Sequence, residues 1–373
     1  MDSNHSRELR VVFAGGGTGG HLYPALALAE AFEKRDREFS CVFIGTRSGI
    51  ESRVLPALGR RLHVVWMRGL LRKLSPANLL FPLRLLVAAW QSWQLIRRFR
   101  PHVIIGTGGY VSAPALVAAR WSGVPHVLQE QNSFPGLTTR WLSGKADAVF
   151  LTFSESRKFF KPSTKVRVVG NPVRGSLQQV SREEAVRTWS LRSDALTLLV
   201  FGGSQGARRI NQITLEVLPS LVHWPSLQVL WAAGPANFAA LESTAKASRS
   251  IRLVPYIENM ALAYAAADVA VCRAGASTLA ELALCGVPSI LIPFPFATAN
   301  HQAFNAVAVQ AAGAAMMIEE KQLTAEKLLA ALREIVESPE RRRQMAAAAR
   351  ALAKPRAADD IVDFCISLAE RQA

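Results

Sequence analysis

Leu9-Arg10-Val11-Val12-Phe13-Ala14 runs directly into Gly15-Gly16-Gly17-Thr18-Gly19-Gly20-His21, and Pro24–Phe32 follows with the look of a helix. A short apolar run, a glycine-dense turn and a helix form the opening unit of an α/β fold. The unit recurs. His102–Gly106 enters Gly106-Thr107-Gly108-Gly109 and then helix-like Ala113–Trp121, and Leu196–Phe201 enters Gly202-Gly203-Ser204-Gln205-Gly206. Further strands read at Ser40–Gly45, His126–Gln129, Ala148–Leu151, Val166–Val169, Leu227–Ala232, Ile251–Pro255, Val269–Cys272 and Ser289–Ile292. Strands alternating with helices predict parallel sheets covered on both faces. Because the rhythm restarts at Leu196, two Rossmann-like domains are expected, facing each other across a cleft. Their expected spans are 1–172 and 173–350, with a linker near Asn171–Gln178, where Pro172 and Gly175 suit a break. In the tail, 351–373, the positions of Ile361, Val362, Cys365, Ile366 and Leu368 have helical spacing, and this helix is expected to pack back on the first domain. Ligands in such sheets sit beyond the carboxyl ends of the strands, where the glycine turns lie.

Composition narrows the partners. Of 373 residues 50% are hydrophobic and 19% charged, enough apolar material for two cores and unlike a disordered chain. The net charge of +16 favours anionic partners: nucleic acid, an anionic membrane surface or phosphorylated substrates. The sequence lacks clustered aromatic–basic RNA motifs and a recognition-helix signature, which argues against nucleic acid. Four cysteines without a CxxC pair read as buried thiols in a reducing compartment. Met1–Arg10 has no apolar signal core, and the apolar stretch Leu79–Trp90 is broken by Arg84 and short of the ~20 residues a spanning helix needs. The segment Arg68–Arg100 brackets leucines, Trp90 and Trp93 with arginines, the composition of a helix lying in a headgroup region or packing on a sheet. A cytoplasmic protein, at most resting on a membrane, is expected.

The turns carry the chemistry. Gly15, Gly17 and Gly20 match GxGxxG, so an NADP-dependent oxidoreductase competes, with Arg47 at the end of the second strand placed to meet a phosphorylated ribose. His21 follows the loop and is either a general base on a hydroxyl or a residue packing the helix start. In Cys272-Arg273-Ala274-Gly275-Ala276-Ser277-Thr278-Leu279-Ala280-Glu281 a strand passes through a turn into a helix whose start suits a diphosphate. Glu281 either accepts from two ribose hydroxyls or closes a capping box with Thr278.

Taken in order, Gly16–His21, Gly106–Tyr110, Glu130-Gln131-Asn132, Gly170-Asn171-Pro172-Val173-Arg174, Gly202–Gly206 and Gly275–Glu281 resemble the peptidoglycan family that transfers N-acetylglucosamine to undecaprenyl-pyrophosphoryl-MurNAc-pentapeptide, over roughly residues 9 to 350. The resemblance implies an α/β GT-B glycosyltransferase fold and an inverting transfer from UDP-GlcNAc to the C4 hydroxyl of MurNAc. It implies donor contacts at Thr18, Gly19, Gly20, Asn132, Arg174, Ser204, Ile257, Ala276, Ser277, Thr278, Leu279, Ala280, Glu281 and Gln302. Ile257 would meet uracil through its backbone, Glu281 the ribose and Gln302 the sugar. His21 and Glu130 are the candidate catalytic bases. Some members carry histidine where this chain has Gln129, and two adjacent glutamines where it has His301-Gln302. No DxD motif stands after a strand, so neither a metal nor another cofactor is required, though a divalent cation could stimulate. Peripheral attachment to the anionic cytoplasmic face of the inner membrane is implied by the lipid acceptor. Within the same fold, a UDP-sugar transferase to another lipid, or an epimerase, shares the donor half.

Overall fold

β1 (Leu9–Gly15) is buried along its length except for a partly exposed Arg10. Its side chains alternate between two cores, as a period-two strand requires. Leu9, Val11 and Phe13 enter one, and Val12 and Ala14 enter the other. This is why the run is continuously apolar: both faces are covered.

The computed structural model describes residues 8–35, 37–69, 79–203, 206–224, 226–245 and 250–371. The chain divides into two compact units. The first ends at Arg174 and takes in the tail from Lys354; the second runs from Gly175 to Ala353.

In the first unit β1 is joined by β2 (Phe39–Gly45), β3 (Leu62–Val64), β4 (Val103–Gly108), β5 (His126–Glu130), β6 (Ala148–Leu151) and β7 (Val166–Val168), in the order β3-β2-β1-β4-β5-β6-β7 among the described residues. All pairs are parallel. The helices are α1 (Gly19–Glu33), α2 (Glu51–Ala57), α3 (Phe81–Phe99), α4 (Ser112–Trp121) and α5 (Leu137–Leu142). On one face Phe13 stacks on Phe43 with centroids 5.0 Å apart and meets Phe32 of α1 edge-on at 6.2 Å. Each such buried ring contributes about 1.5–3 kcal/mol relative to exposure.

The second unit contains β8 (Leu196–Phe201), β9 (Leu227–Ala232), β10 (Ile251–Val254), β11 (Val269–Cys272), β12 (Ser289–Leu291) and β13 (Ala315–Met317), ordered β10-β9-β8-β11-β12-β13. Around them lie α6 (Arg182–Trp189), α7 (Arg208–Leu221), α8 (Pro235–Ala245), α9 (Met260–Ala266), α10 (Ala276–Cys285), α11 (His301–Ala311), α12 (Ala325–Val336) and α13 (Pro339–Leu352). Trp231, fully buried at the centre of this core, donates its indole N–H to Asn211 Oδ1 at 3.0 Å.

The tail helix α14 (Ala357–Glu370) belongs to the first unit. Ile361, Val362 and Cys365 are fully buried in the cluster that holds Leu9, Val11 and Phe13, and Arg35 pairs with Asp359 and Asp363 at 2.9 Å each. α13 runs through residue 350, so the division falls a few residues later than the expected boundary at 350. At the other junction it falls at Arg174 rather than Pro172.

Both strand orders reverse at one place. In the first unit β1 leads away toward β2 and β4 toward β5; in the second, β8 leads toward β9 and β11 toward β12. The turns after β1 and β4, and those after β8 and β11, therefore flank the switch points where open sheets bind ligands.

Candidate functional site

In the first unit, α1 begins at Gly19, five residues before the expected Pro24–Phe32 helix. Thr18 stands in extended conformation at its N-cap, without a side-chain cap bond. Gly19 and Gly20 are tolerated in this first turn because its N–H groups lack intrahelical partners in any case. His21 therefore sits in the first turn of a helix, not in a loop. Its Nδ1 lies 3.1 Å from the Thr107 carbonyl and 3.0 Å from Gln131 Oε1. The Thr107 hydroxyl donates to the His21 carbonyl at 2.7 Å, tying the turn after β1 to β4. A Cβ at Gly15 would lie 1.8 Å from that hydroxyl oxygen, so only glycine fits there.

A fully buried carboxyl group fills the underside of the glycine turn. Glu51, at the start of α2, accepts from the Gly17 N–H at 2.8 Å, the Thr46 N–H at 2.8 Å and the Thr46 hydroxyl at 2.9 Å. Gly17 adopts a φ of 84°, which favours glycine. The arrangement bears on the GxGxxG match. A dinucleotide pyrophosphate needs such backbone N–H groups pointing at it, and here the Gly17 N–H is already donated to a carboxyl oxygen. Arg47 is exposed.

At the end of β5, Glu130 is buried and spends both oxygens on its own loop. Oε1 accepts from the Asn132 N–H at 3.1 Å and Oε2 from the Gly136 N–H at 3.0 Å. These bonds shape the segment that carries Asn132; among the described residues none of them joins Glu130 to His21. Gln129 is fully buried in the strand. Arg174 places its guanidinium over the Tyr23 ring of α1, 5.8 Å from the centroid.

In the second unit, Gly203 and Gly206 have φ of 86° and 74° in the turn before α7, and a Cβ at Gly206 would meet the Ala233 carbonyl at 2.3 Å. Ser204, an expected donor contact, lies outside the described residues, as does Gln205. After β11, Gly275 is the N-cap of α10, with no side-chain cap bond, and the first helical bond runs from the Leu279 N–H to the Gly275 carbonyl at 3.0 Å. The capping-box alternative for Thr278 and Glu281 is thereby corrected: the cap falls three residues earlier, because Gly275 alone takes the extended conformation there. Ala276, Ser277 and Thr278 form the opening turn, with the positive end of the helix dipole at their N–H groups.

Glu281 lies one turn further on and accepts from the Tyr264 hydroxyl at 2.8 Å. Burial first, then the Glu281 charge, pushes the Tyr264 phenol well above its ordinary range, so it stays protonated and donates. Arg273 holds the preceding turn by donating to the Ile292 and Pro293 carbonyls at 3.2 and 3.3 Å and pairing with Glu320. Buried Asn305 reaches the Ala274 carbonyl at 3.4 Å. Gln302 Oε1 accepts from the Phe294 N–H at 2.9 Å, which directs its amide NH2 away from that loop. Ile257 is buried in the turn after β10. Leu279 is buried and Ala280 partly so, and they anchor α10.

Sequence reasoning assigned no role to Glu51, Thr107 or Gln131. Gln131 stood inside a quoted motif. For Glu51 the available signal was an acid set among Gly45, Thr46 and Gly49, small residues that leave room for it: a Cβ at Gly45 would lie 2.4 Å from Glu51 Cγ. Among the described residues no three His, Cys, Asp or Glu side chains gather as a metal site.

α3 carries a stripe on its outer face. Leu83, Leu86 and Trp90 are 51%, 60% and 53% exposed, continued by Leu79 at 83%, while Ala88, Ala89, Ser92 and Ile96 are buried. Arg84 lies over the Trp66 ring at 5.7 Å and Arg97 over Trp93 at 5.3 Å. Residues 70–78 of the expected membrane segment lie outside the described residues. No helix among the described residues is long and apolar enough to cross a membrane.

Two Rossmann-like units with glycine turns at their switch points define a glycosyltransferase of GT-B fold. Residues 11–151 match the glycosyltransferase family 28 N-terminal domain and residues 197–361 its C-terminal domain. The chain is 43% identical over 368 residues to a UDP-N-acetylglucosamine–N-acetylmuramyl-(pentapeptide) pyrophosphoryl-undecaprenol N-acetylglucosamine transferase of Desulforudis audaxviator, covering 97% of this chain and 99% of the relative. The protein of the same name from Anaeromyxobacter dehalogenans is 43% identical over 369 residues, covering 98% and 94%. The crystal structure of Acinetobacter baumannii MurG superposes with a TM-score of 0.74 at 28% identity, covering 96% of this chain and 99% of that one. A UDP-GlcNAc 2-epimerase from Neisseria meningitidis shares the fold, with a TM-score of 0.68 at 14% identity, covering 96% and 100%. The chain belongs to the N-acetylmuramyl-(pentapeptide) pyrophosphoryl-undecaprenol N-acetylglucosamine transferases of glycosyltransferase family 28. That membership replaces the oxidoreductase alternative.

Proposed function

We propose that this chain transfers N-acetylglucosamine from UDP-GlcNAc to the C4 hydroxyl of the MurNAc sugar in undecaprenyl-pyrophosphoryl-MurNAc-pentapeptide, inverting the anomeric carbon. The observation that carries the chemistry is the His21 imidazole, whose Nδ1 faces two carbonyl-type oxygens and whose Nε2 is thereby left to take a proton. The acceptor oxygen attacks C1 of the donor sugar, its proton passes to Nε2, and the C1–O bond breaks with its electron pair leaving on UDP. Both substrates are those for which the two relatives are named.

The donor contacts follow the same reading. Glu281, aimed by Tyr264, accepts from the ribose; the backbone at Ile257 meets uracil; the Gln302 amide donates to the sugar. The opening turn of α10 and Arg174, with Ser204, Thr18, Gly19, Gly20 and Asn132, stabilise the departing diphosphate or line the donor's path. Glu130 shapes the Asn132 loop rather than accepting the proton. Amides, a helix dipole and a guanidinium supply the positive charge, so no cofactor is required and a divalent cation would only stimulate.

The outer stripe of α3, with Arg84, Arg97 and Arg98 beside it, supports peripheral attachment to the anionic cytoplasmic face of the inner membrane, where a polyprenyl acceptor resides. The charge of +16 then serves the membrane and the phosphorylated substrates, not nucleic acid. The test is acceptor-dependent release of UDP from UDP-GlcNAc, with a short-chain acceptor lipid. Release at least tenfold above acceptor-free hydrolysis is expected; equal release with and without acceptor overturns the proposal.

A further inference from the structure

The two atoms facing His21 Nδ1, the Thr107 carbonyl at 3.1 Å and Gln131 Oε1 at 3.0 Å, are both oxygens. A carbonyl only accepts, so Nδ1 must be the protonated nitrogen, provided the Gln131 amide has its oxygen on that side. Its other side settles the orientation. Gln131 Nε2 faces three oxygens, the Thr107 carbonyl at 2.7 Å, the Gln129 carbonyl at 3.2 Å and Gln129 Oε1, and shares its two N–H groups among them. A flipped amide would set an oxygen against three oxygens. Gln129 is fixed in turn, because its Nε2 donates to Asn171 Oδ1 at 3.1 Å. The three amides are 0%, 1% and 2% exposed for Gln129, Gln131 and Asn171, so water does not compete for these bonds.

We infer that Gln131, held by Gln129, is a positioning residue for the transfer. It fixes His21 as the Nδ1–H tautomer, leaving the Nε2 lone pair as the base. The inference rests on the proposal that His21 takes the acceptor proton. As the proton arrives at Nε2 the imidazole becomes cationic, and its Nδ1–H bonds to the two oxygens strengthen with the developing charge. Glutamine at position 129 does this without adding an ionisable group to the buried chain of amides.

The test pairs spectroscopy with kinetics on the full chain. In protein labelled with ¹⁵N-histidine, with the His21 signals assigned by their loss in His21→Ala, the wild type is expected to show a protonated Nδ1 and an unprotonated Nε2 in the neutral ring. Gln131→Met removes the acceptor while keeping the volume. It is expected to mix the tautomers and to lower kcat about 10–100-fold, part of the roughly 10²–10⁴ that a general base supplies, with KM for UDP-GlcNAc within about twofold. Gln129→Met, which frees Gln131 without touching His21, is expected to give the same changes at smaller size, and reports independently should Gln131→Met fail to fold. A wild-type Nε2–H tautomer, or variants with unchanged tautomer and kcat, overturn the inference. Mixed tautomers with wild-type kcat would instead remove His21 from its role as base.

Discussion

The turns after β1 and β11 each flank the switch point of one of two similar sheets, yet they are held in different ways. The first is gripped from within by side chains: Glu51 takes the Gly17 N–H, and Thr107 and Gln131 take hold of His21. The second is held by Arg273 on the Ile292 and Pro293 carbonyls and by Asn305 on Ala274, and its helix opens on a glycine with no side-chain cap. Filling a turn spends its amides on the protein and fixes one imidazole. A glycine cap supplies no side-chain oxygen at the N-cap itself, and such a helix start can receive an anion. Under the proposed function, one topology would serve proton transfer in the first unit and donor binding in the second.

The sharpest way to break this contrast is at the imidazole. His21→Ala is expected to cut kcat about 10²–10⁴-fold while the Kd for UDP, by isothermal titration, stays within about twofold. A matching loss of UDP affinity would make His21 a binding residue rather than the base. Next is the buried latch. Glu51→Ala leaves three buried donors without their acceptor, and a loss of about 2–4 kcal/mol in urea-unfolding stability is expected. A change below about 0.5 kcal/mol would mean that the first turn is not held from within. In the second unit, Glu281→Ala removes a charged acceptor. A weakening of UDP binding by about 10–100-fold is expected, from the roughly 1.5–3 kcal/mol of a charge-assisted hydrogen bond, together with a loss of about 1–3 kcal/mol in unfolding stability because the buried Tyr264 hydroxyl loses its acceptor.

How far this contrast is legible in the sequence depends on distance along the chain. The strands and turns bordering both switch points are local patterns, and they stand where the apolar runs and glycines put them. β3 and β13 are three residues each at sheet edges, too short for a periodic signal. α1 begins five residues early because glycines in a first turn look like loop. The latches are invisible for another reason. Gly17 and Glu51 are 34 residues apart, and His21 and Gln131 are 110 apart, so only the folded sheet brings them together. The sequence marks His21, Glu130 and Glu281 as candidate site residues. Their partners, which decide that one imidazole is aimed and one carboxyl is occupied by its own loop, come from the tertiary structure.

Two smaller effects sharpen the account outside the turns. Replacing Leu83, Leu86 and Trp90 together by glutamate is expected to lower co-flotation with anionic liposomes about tenfold or more, because three apolar groups no longer enter the headgroup region. Transfer to a water-soluble acceptor should persist; undiminished flotation would remove α3 from the membrane contact. Burial, the largest influence, holds the His126 imidazole below its ordinary range, with the Asp147 charge opposing it. As pH falls below about 6.5, the unfolded chain therefore binds this proton before the folded one does, and stability that is complete above that pH is progressively lost. His126→Gln should flatten the decline of Tm between about pH 6.5 and 5.5; an unchanged slope would assign the decline to other groups.

The linkage formed in the product tests the central claim most directly. UDP-GlcNAc carrying ¹³C at C1 would be incubated with a short-chain polyprenyl-pyrophosphoryl-MurNAc-pentapeptide, and the product read by NMR. The account predicts a single β-linked GlcNAc on the C4 oxygen of MurNAc, formed with release of UDP. An α linkage, attachment at another oxygen, or free GlcNAc as the sole product would contradict it.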